Sequence, residues 1–314
     1  MLQSKGGGPP VARGSHAAND DPRNATIKIY VDGELLPRED AKVSVYDSGF
    51  MLGDGIWEGL RVYRSKVAFL EEHFDRLYES AKALDLEIGL SRAELEAALY
   101  RTLKANAMTD GVHLRLMVTR GRKCAPFQDP RLSIFGSTVV IIAEHNRPEG
   151  TAAAEGLKLF TVHVHRQAPD AQDPKLNSHS KLNCVTALIQ ALKAGADEAL
   201  MLDPQGFVNT CNSTNFFIVR KGEVWTSTGD HCINGVTRGK IIALCRENAI
   251  PVFERNYSLA DVYGADEAFV TGTCGAQTPV VQVDGRVIGE GKPGPMFQRL
   301  RGLYKDLVER HCAG

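Results

Sequence analysis

The segment that decides the fold runs from Val208 to Arg238 and reads VNTCNSTNFFIVRKGEVWTSTGDHCINGVTR. A polar loop leads into the apolar run Phe216–Arg220, which is typical of a buried strand. Lys221-Gly222 then supplies a turn, and Val224–Thr226 resumes the strand pattern. The segment therefore predicts two antiparallel strands of a sheet, followed by a helix near residues 239–248.

The turn Gly235-Val236-Thr237 in this segment opens that helix. The first N–H groups of a helix have no partner within it, and the helix dipole favours negative charge there. The main chain of Val236 and Thr237, with the Thr237 hydroxyl, therefore suits an anion such as phosphate. Taken alone, a simple threonine at a helix start is the better interpretation.

A second segment, Phe269–Val280, reads FVTGTCGAQTPV. An apolar strand ends in the small-residue turn 271–275, which exposes several N–H groups. Successive N–H groups of this kind form a concave anion site. Taken alone, this turn is best interpreted as an ordinary glycine turn. It supports an anion site only in combination with the first segment.

Composition places the chain among ordinary globular proteins, because 43% of its 314 residues are hydrophobic and 24% are charged. The formal net charge of −1 does not favour a nucleic-acid binder. No apolar run reaches the roughly 18–20 residues of a membrane span. The seven cysteines are scattered without a CxxC pair, so we expect neither disulfides nor a zinc site and favour a cytoplasmic location.

The first 25 residues are rich in Gly, Pro, Asn and Asp, lack aromatic residues and lack the apolar core of a signal peptide. We expect a disordered tail there, with an amphipathic transit peptide as the weaker alternative.

Residues 26–145 predict a small α/β domain. The predicted elements are a hairpin at 26–35, strands at Val43–Tyr46 and Leu60–Tyr63, helices at Phe69–Leu86 and from Ser91 to about Ala105, and strands at Val112–Thr119 and Thr138–Ala143.

Residues 146–156 are small and polar and predict a linker. Residues 157–314 predict a larger domain with a mixed sheet, because strands and helices alternate but hairpins are frequent. Its predicted strands lie at Leu157–Val164, Glu198–Asp203, Phe216–Arg220 and Ala268–Thr271, and its helices at Asn183–Ala194, Gly239–Asn248 and Pro295–Glu309.

Together these motifs resemble the class IV aminotransferases, or fold-type IV pyridoxal-5′-phosphate (PLP) enzymes, which include branched-chain and D-amino-acid aminotransferases. The resemblance runs from about Ile27 to Leu307 and includes DSGFMLGDGIWEGLRVY, HFDRLYESAKAL and AGADEALML. It implies a two-domain α+β fold with a small domain and a larger sheet or barrel domain. It also implies PLP as cofactor, amino-group exchange between an amino acid and a 2-keto acid, and a homodimer.

The family joins PLP to a lysine through a Schiff base. In NSHSKLNCV the candidate is Lys181, because a partly desolvated amine loses its proton and becomes nucleophilic. Relatives usually place this lysine three or four residues before an asparagine, whereas Lys181 precedes Asn183 by two. Lys175, in a similar KLN context, is therefore the alternative.

Arg76 in HFDRLYESA matches the family's phosphate-binding arginine, a role that suits a guanidinium because it donates parallel hydrogen bonds. Without the resemblance, Arg76 would be read as the i,i+4 partner of Glu72 on a helix surface. The other residues that the resemblance assigns to PLP binding are Thr210, Asn212, Ile233, Val236, Thr237 and Thr273.

Thr210 is the largest departure from the family pattern. Most relatives have a glutamate there, which hydrogen-bonds the pyridine nitrogen of PLP and strengthens the ring as an electron sink. A threonine carries no charge, although its hydroxyl could still hydrogen-bond an unprotonated ring nitrogen. The departure leaves open a PLP-binding protein with little catalysis.

On the substrate side, Arg115 matches the arginine that branched-chain enzymes use near the substrate carboxylate, with His113 and Trp57 beside it. An arginine paired to an acid inside the core is an equally good reading of Arg115. Cys274 and Gly275 match main-chain positions lining the same side.

Residues 121–129 lack the Arg-x-His of D-amino-acid aminotransferases, and residues 123–132 are expected to form a loop over the site. Ala125 and Phe127 stand there instead, although Arg122 and Lys123 could supply the charge. We therefore expect a hydrophobic, branched-chain-like substrate. D-amino-acid or (R)-amine transaminase and aminodeoxychorismate lyase remain alternatives.

Overall fold

The chain folds into two compact units, each with its own sheet. The structure, a computed structural model, describes residues 14–15, 21–146 and 155–313. Within these residues the smaller unit contains 21–146, 176–181 and 308–313, and the larger contains 14–15, 155–175 and 182–307. The chain therefore returns to the smaller unit twice after leaving it.

The smaller unit is built on a six-stranded antiparallel sheet in the order β2-β1-β6-β5-β3-β4. Its strands are β1 (Lys28–Val31), β2 (Glu34–Pro37), β3 (Gly55–Tyr63), β4 (Lys66–Val67), β5 (Val112–Thr119) and β6 (Thr138–His145). Its helices are α1 (Ser48–Leu52), α2 (Leu70–Ala83) and α3 (Arg92–Ala105).

The two faces of this sheet differ, as the alternation along β5 shows. Leu114, Leu116 and Val118 are buried, whereas the intervening Arg115 and Met117 are half-buried. The buried set joins one hydrophobic core with side chains of α2 and α3. The opposite face of the sheet carries polar and aromatic side chains of β3 and β5, among them Trp57 and Arg115.

The larger unit carries a nine-stranded mixed sheet. Its strands are β7 (Leu157–Thr161), β8 (Glu198–Leu202), β9 (Val208–Cys211), β10 (Asn215–Arg220), β11 (Glu223–Thr226), β12 (Val252–Glu254), β13 (Glu267–Gly272), β14 (Ala276–Val283) and β15 (Arg286–Val287). Its helices are α4 (Pro169–Gln172), α5 (Leu182–Lys193), α6 (Val236–Glu247), α7 (Leu259–Tyr263) and α8 (Pro295–Cys312), the last of which ends in residues of the smaller unit.

Six of these strands form a closed ring. The order β10-β13-β14-β7-β8-β9 returns to β10 through the pairing of Asn215 with Thr210. Parallel and antiparallel pairs are mixed, since β7 runs parallel to both β8 and β14. The predicted mixed sheet is confirmed, and it closes into a barrel.

Most predicted elements are confirmed with small shifts of their ends, but three predictions need correction. No strand forms at Val43–Tyr46, where the chain is irregular and then turns into α1 without forming a ladder. The strand predicted at Leu60–Tyr63 begins at Gly55, because β5 pairs with it along most of its length. Helix α6 begins at Val236 rather than near Gly239.

The predicted tail and linker fall largely on residues 1–13, 16–20 and 147–154, which lie outside the described residues. The expected tail ends earlier than residue 25, since Pro22–Thr26 forms a 3₁₀ turn capped by Asp21. Asn24 fastens this turn by exchanging hydrogen bonds of 3.0 and 2.8 Å with the main chain of His145. Within the described residues, no helix combines the length and apolar character of a membrane span.

We expect Phe269→Ala to lower the free energy of unfolding by about 3–5 kcal/mol, the usual range for removing a buried phenylalanine. The Phe269 ring lies 5.0 Å from that of Phe217 and 5.8 Å from that of Phe297, centroid to centroid. Urea denaturation measures the change. Val287→Ala, at a position that is 59% exposed on β15, should change it by no more than about 0.5 kcal/mol. Equal losses in both variants would contradict this assignment of the core.

Candidate functional site

A short segment of the smaller unit, residues 177–180, lies antiparallel to the start of β3 and carries the candidate lysine at its end. The Trp57 N–H donates to the Asn177 carbonyl at 3.0 Å, and the His179 N–H donates to the Gly55 carbonyl at 2.8 Å. Ile56 and Ser178 form the bridge between these two hydrogen bonds. We call this segment the clamp segment.

Side chains reinforce the clamp segment. Asn177 Nδ2 donates to the Trp57 carbonyl at 2.6 Å, and Trp57 Nε1 donates to the Ser178 carbonyl at 3.1 Å. Ser180 Oγ donates to the Gly53 carbonyl at 3.2 Å. The segment is thus held by main-chain and side-chain bonds together, which fixes the position at which Lys181 leaves it.

Two cationic side chains lie over the indole ring of Trp57. Arg115 Cζ lies 3.8 Å from the ring centroid and Lys181 Nζ lies 5.9 Å from it. These distances fall within the range of cation–π contacts. The structure therefore brings together three residues that the sequence predicts to be near the substrate or the cofactor.

Arg115 is half-buried and makes no ion pair with a carboxylate of the described residues. Burial lowers the pKa of its guanidinium. The alternative of an arginine paired to an acid in the core is therefore not what the structure contains. A half-buried guanidinium of this kind is suited to an anionic ligand.

His113 lies on the same face, on β5 opposite Arg61. Gly59 makes its approach possible, because a Cβ at that position would lie 3.2 Å from His113 Nε2 and 3.6 Å from the Trp57 ring. A larger residue at Gly59 would push the two aromatic side chains apart.

Lys175, the alternative to Lys181, belongs to the larger unit. Its side chain is 46% exposed and its Nζ lies 3.9 Å from a carboxylate oxygen of Asp230. An exposed lysine beside an exposed acid is an ordinary surface ion pair.

Arg76 projects from α2 toward the helix-covered face of the small sheet, where it forms a bidentate ion pair with the buried Glu58. Nε and Nη2 of Arg76 donate to the two carboxylate oxygens at 2.8 and 2.6 Å. His73 Nδ1 lies 2.7 Å from Glu58 Oε2. Burial by itself raises the pKa of the Glu58 carboxyl, but Arg76 and His73 outweigh it and the pKa is lowered.

In the larger unit, the predicted anion site has the expected helix start. Gly235 caps α6, and no side chain bonds the cap. Val236 and Thr237 are the first two residues of the helix, and the Thr237 side chain is buried. The main chain therefore presents first-turn N–H groups, which is the arrangement that binds phosphate.

The second predicted anion turn joins β13 to β14, and its three residues are Thr273, Cys274 and Gly275. Cys274 is buried. A Cβ on Gly275 would lie 3.1 Å from Thr278 Oγ1 and 3.3 Å from the Ser15 carbonyl. The turn is therefore crowded on that side, and a residue without a side chain fits best.

Thr210 on β9 is buried, and its hydroxyl donates to the Thr214 carbonyl at 2.7 Å. Thr214 Oγ1 in turn donates to the buried Glu198 at 3.1 Å, and the Ser15 N–H donates to the same carboxylate at 2.8 Å. The single hydroxyl hydrogen of Thr210 is thus used within the chain. A ligand would meet its oxygen as an acceptor, not as the donor to an unprotonated nitrogen that the sequence suggested.

Two further predicted cofactor residues serve local structure. The Asn212 side chain accepts from the Ala199 N–H at 2.9 Å, and the Ile233 carbonyl accepts from Asn215 Nδ2 at 2.9 Å. These bonds shape the turn between β9 and β10 and the loop between β11 and α6.

Sequence reasoning missed the residues that hold the predicted ones in place. Glu58 stands in the quoted motif WEGL, yet its pairing with Arg76 depends on the packing of α2 against β3. Asn177 and His179 precede the candidate lysine by four and two positions, but their hydrogen-bond partners lie about 120 positions earlier in the chain. Nothing in the local pattern indicates that contact.

We expect Arg76→Met to lower the free energy of unfolding by about 3–5 kcal/mol, because it leaves the buried Glu58 carboxylate without its main partner. Glu58→Gln/Arg76→Met should recover much of this loss, since no buried charge remains. The stabilisation from Glu58 is present above the carboxyl pKa of the unfolded chain and is lost as pH falls through its lowered pKa in the folded chain. Urea denaturation at several pH values measures both effects. An Arg76→Met variant as stable as wild type would contradict them.

Solved structures with the same fold support the architecture. The branched-chain amino acid aminotransferase of Escherichia coli superposes with a TM-score of 0.84 at 29% identity, over 90% of this chain and 95% of that one. The T.th. branched-chain amino acid aminotransferase, complexed with N-(5′-phosphopyridoxyl)-L-glutamate, gives a TM-score of 0.84 at 30% identity, over 91% and 95%.

Three relatives are similar along most of the chain. Branched-chain-amino-acid aminotransferase-like protein 2 of Arabidopsis thaliana is 43% identical, over 92% of this chain and 51% of its own length. The branched-chain-amino-acid aminotransferase of Pseudomonas aeruginosa is 34% identical over 89% and 92%. The D-alanine aminotransferase of Listeria monocytogenes serotype 4b is 32% identical over 91% and 98%. The chain spans about half the length of the Arabidopsis relative.

A protein-family model, amino-transferase class IV, matches residues 55–283. This stretch begins with the first residue of β3 and ends with the last residue of β14. It contains the clamp segment, both anion turns and the sheet face on which Arg115 and Lys181 meet the Trp57 ring, which we call the Trp57 face. The chain belongs to the class IV aminotransferases.

Proposed function

We propose that the chain is a PLP-dependent aminotransferase that exchanges an amino group between a hydrophobic, branched-chain-like amino acid and a 2-keto acid. The observation that carries this proposal is the Trp57 face, where Lys181 and a guanidinium without a carboxylate partner among the described residues meet on one indole ring. An amine and a carboxylate receptor are the two groups that such a reaction needs.

The residues present fit PLP, because the chain has donors for a phosphate and an amine for an aldehyde. Phosphate donors are the first-turn N–H groups of α6, Thr237 and Thr273 in the larger unit. Arg76 in the smaller unit uses Nε and Nη2 for Glu58 on the sheet face opposite Trp57, so its contact with the phosphate stays a prediction from the sequence. The amine is Lys181, which is favoured over Lys175 because Lys175 is exposed and lies beside an acid.

PLP supplies an electron sink that weakens the bond between the α-carbon of a bound amino acid and its hydrogen. In the proposed reaction, Arg115 binds the α-carboxylate, and the cation–π contact with Trp57 positions the Arg115 guanidinium. Nζ of Lys181 removes the α-proton and holds it. Thr210 would present its hydroxyl oxygen to the cofactor as an acceptor, because its hydrogen is engaged by the Thr214 carbonyl.

A D-amino-acid substrate is the second candidate, and the similarity to the Listeria D-alanine aminotransferase supports it. Against it stands the absence of Arg-x-His in residues 121–129. For the compartment we propose the cytoplasm, since all seven cysteines are free thiols and a reducing environment preserves them.

We expect the purified wild-type protein to be yellow with PLP and to change colour with at least one amino acid of a panel of L- and D-isomers. Lys181→Ala should abolish the adduct that borohydride traps on the protein. The matched variant Lys175→Ala should keep it, because that side chain is exposed and paired to Asp230. Visible spectra and peptide mass spectrometry read out both results.

A colourless wild-type protein with added PLP would refute the cofactor proposal. An adduct that survives Lys181→Ala and disappears in Lys175→Ala would transfer the attachment to Lys175. Colour without any change on adding amino acids would favour a binding protein with little catalysis.

We also propose a homodimer, because two neighbouring segments of the smaller unit expose large apolar side chains. These segments are residues 43–52 and 127–135. The N–H of Lys123 donates to the Tyr46 carbonyl and the N–H of Ser48 donates to the Gly121 carbonyl, each at 2.9 Å. These bonds connect segment 43–52 to the start of the loop that contains segment 127–135. Exposed apolar patches of this kind mark interaction sites. The exposed members are Val43, Val45, Tyr46, Phe50, Leu52, Phe127, Ile134 and Phe135.

We expect light scattering to give the mass of a dimer for wild type and of a monomer for Phe50→Asp/Phe127→Asp. Phe50 is 70% and Phe127 is 68% exposed, so two charges there leave the fold intact but disfavour a second copy. Val287→Asp, on the larger unit, is the control and should remain dimeric. A monomeric wild type would contradict the proposal.

A further inference from the structure

His179 in the clamp segment is anchored through one ring nitrogen only. Its Nε2 lies 3.0 Å from the Ile56 carbonyl oxygen. A carbonyl oxygen only accepts, so Nε2 carries the hydrogen, and in the neutral ring Nδ1 carries the lone pair. Nδ1 makes no hydrogen bond to any residue in the described part of the chain.

Gly55 determines where this nitrogen lies. A Cβ at Gly55 would come within 2.7 Å of the Val118 carbonyl and within 3.1 Å of His179 Nδ1. Because Gly55 has no side chain, the imidazole packs directly over the main chain of β3. The hydrogen bond at Nε2 and the small size of Gly55 beside Nδ1 together determine the position of the ring.

The surroundings keep this imidazole neutral. Burial is the main cause that lowers the pKa of His179, and the positive charges of Arg115 on β5 and of Lys181 add to it. The hydrogen bond to Ile56 and the carboxylate of Asp47 act in the opposite direction without reversing the shift. At neutral pH the ring is thus an acceptor beside two cations.

We propose that His179 is a positioning residue for Lys181, whose Nζ donates a hydrogen bond to His179 Nδ1. Lysine has a flexible four-carbon stem, so Nζ moves from its place over Trp57 to the imidazole without a change of main chain. As an amine, Nζ donates one N–H to the neutral ring at Nδ1 and keeps its own lone pair. The hydrogen bond thus orients that lone pair toward a carbonyl carbon.

This inference rests on the proposed function, because the proposed cofactor supplies the carbonyl group with which the Lys181 amine reacts. The competing interpretation is that His179 only fastens the clamp segment to β3. The two are separable, since the fastening uses Nε2 and the proposed role uses Nδ1. His179→Gln retains an N–H at the position of Nε2 and removes the Nδ1 lone pair.

The test uses full-length protein freed of cofactor and measures the rate at which PLP becomes attached to Lys181. Borohydride trapping and peptide mass spectrometry detect the attachment, and the rate is measured at several pH values from acid to neutral. We expect His179→Gln to slow attachment about tenfold at neutral pH, below the usual range of general-base contributions because the residue acts through Lys181. Wild type should also lose its rate advantage over the variant as pH falls through the lowered pKa of His179. His163→Gln, at an exposed histidine of the larger unit, is the matched control.

A second readout needs no cofactor. In protein with isotope-labelled histidine, NMR should show the Nε2–H tautomer of His179, and Lys181→Met should raise the pKa of its ring because one neighbouring cation is gone. Equal attachment rates in His179→Gln and wild type at every pH would overturn the proposal. If wild type does not attach PLP at Lys181 the proposed function fails, and an unchanged His179 pKa in Lys181→Met would then overturn the contact itself.

Discussion

The antiparallel pairing of the clamp segment with β3 is the constraint on which the candidate site depends. It consists of two main-chain hydrogen bonds around Ile56 and Ser178, supported by the side chains of Asn177 and Trp57. Without it, Lys181 would sit at the end of an irregular loop. With it, the lysine starts from a fixed point beside the indole ring, so the orientation of the amine requires little further ordering.

Strand β3 serves two purposes because successive side chains of a strand point to opposite faces. On one face Glu58 holds Arg76 and His73 in a buried cluster that ties α2 to the sheet. On the other face Trp57 supports Arg115 and Lys181. A shift of one residue in register would exchange these faces, so the long pairing of β3 with β5 protects both the core and the site.

Local patterns predicted much of this architecture. The alternation in Val112–Thr119 and the capping box at Ser91 led to elements with the observed ends. The failures have a common cause, which is dependence on distant partners. Val43–Tyr46 has the composition of a strand but forms no ladder with a neighbouring strand. The direction in which the Thr210 hydroxyl donates is likewise set by Thr214, four residues away across a turn.

The sheet of the smaller unit is synthesised before the sheet of the larger unit, yet the smaller unit also includes residues that follow the larger sheet. Its sheet lies within residues 28–145, yet the clamp segment follows some thirty residues later and residues 308–313 come near the end of the chain. His311 there accepts the Phe69 N–H at 3.0 Å, at the start of α2, where Phe69 adopts a left-handed conformation. During translation, the hydrogen bond between Phe69 and His311 therefore forms only after the 242 positions that separate them have been synthesised. Nascent-chain folding that favours N-terminal domains first thus leaves this contact of the smaller unit until after the sheet of the larger unit has been made.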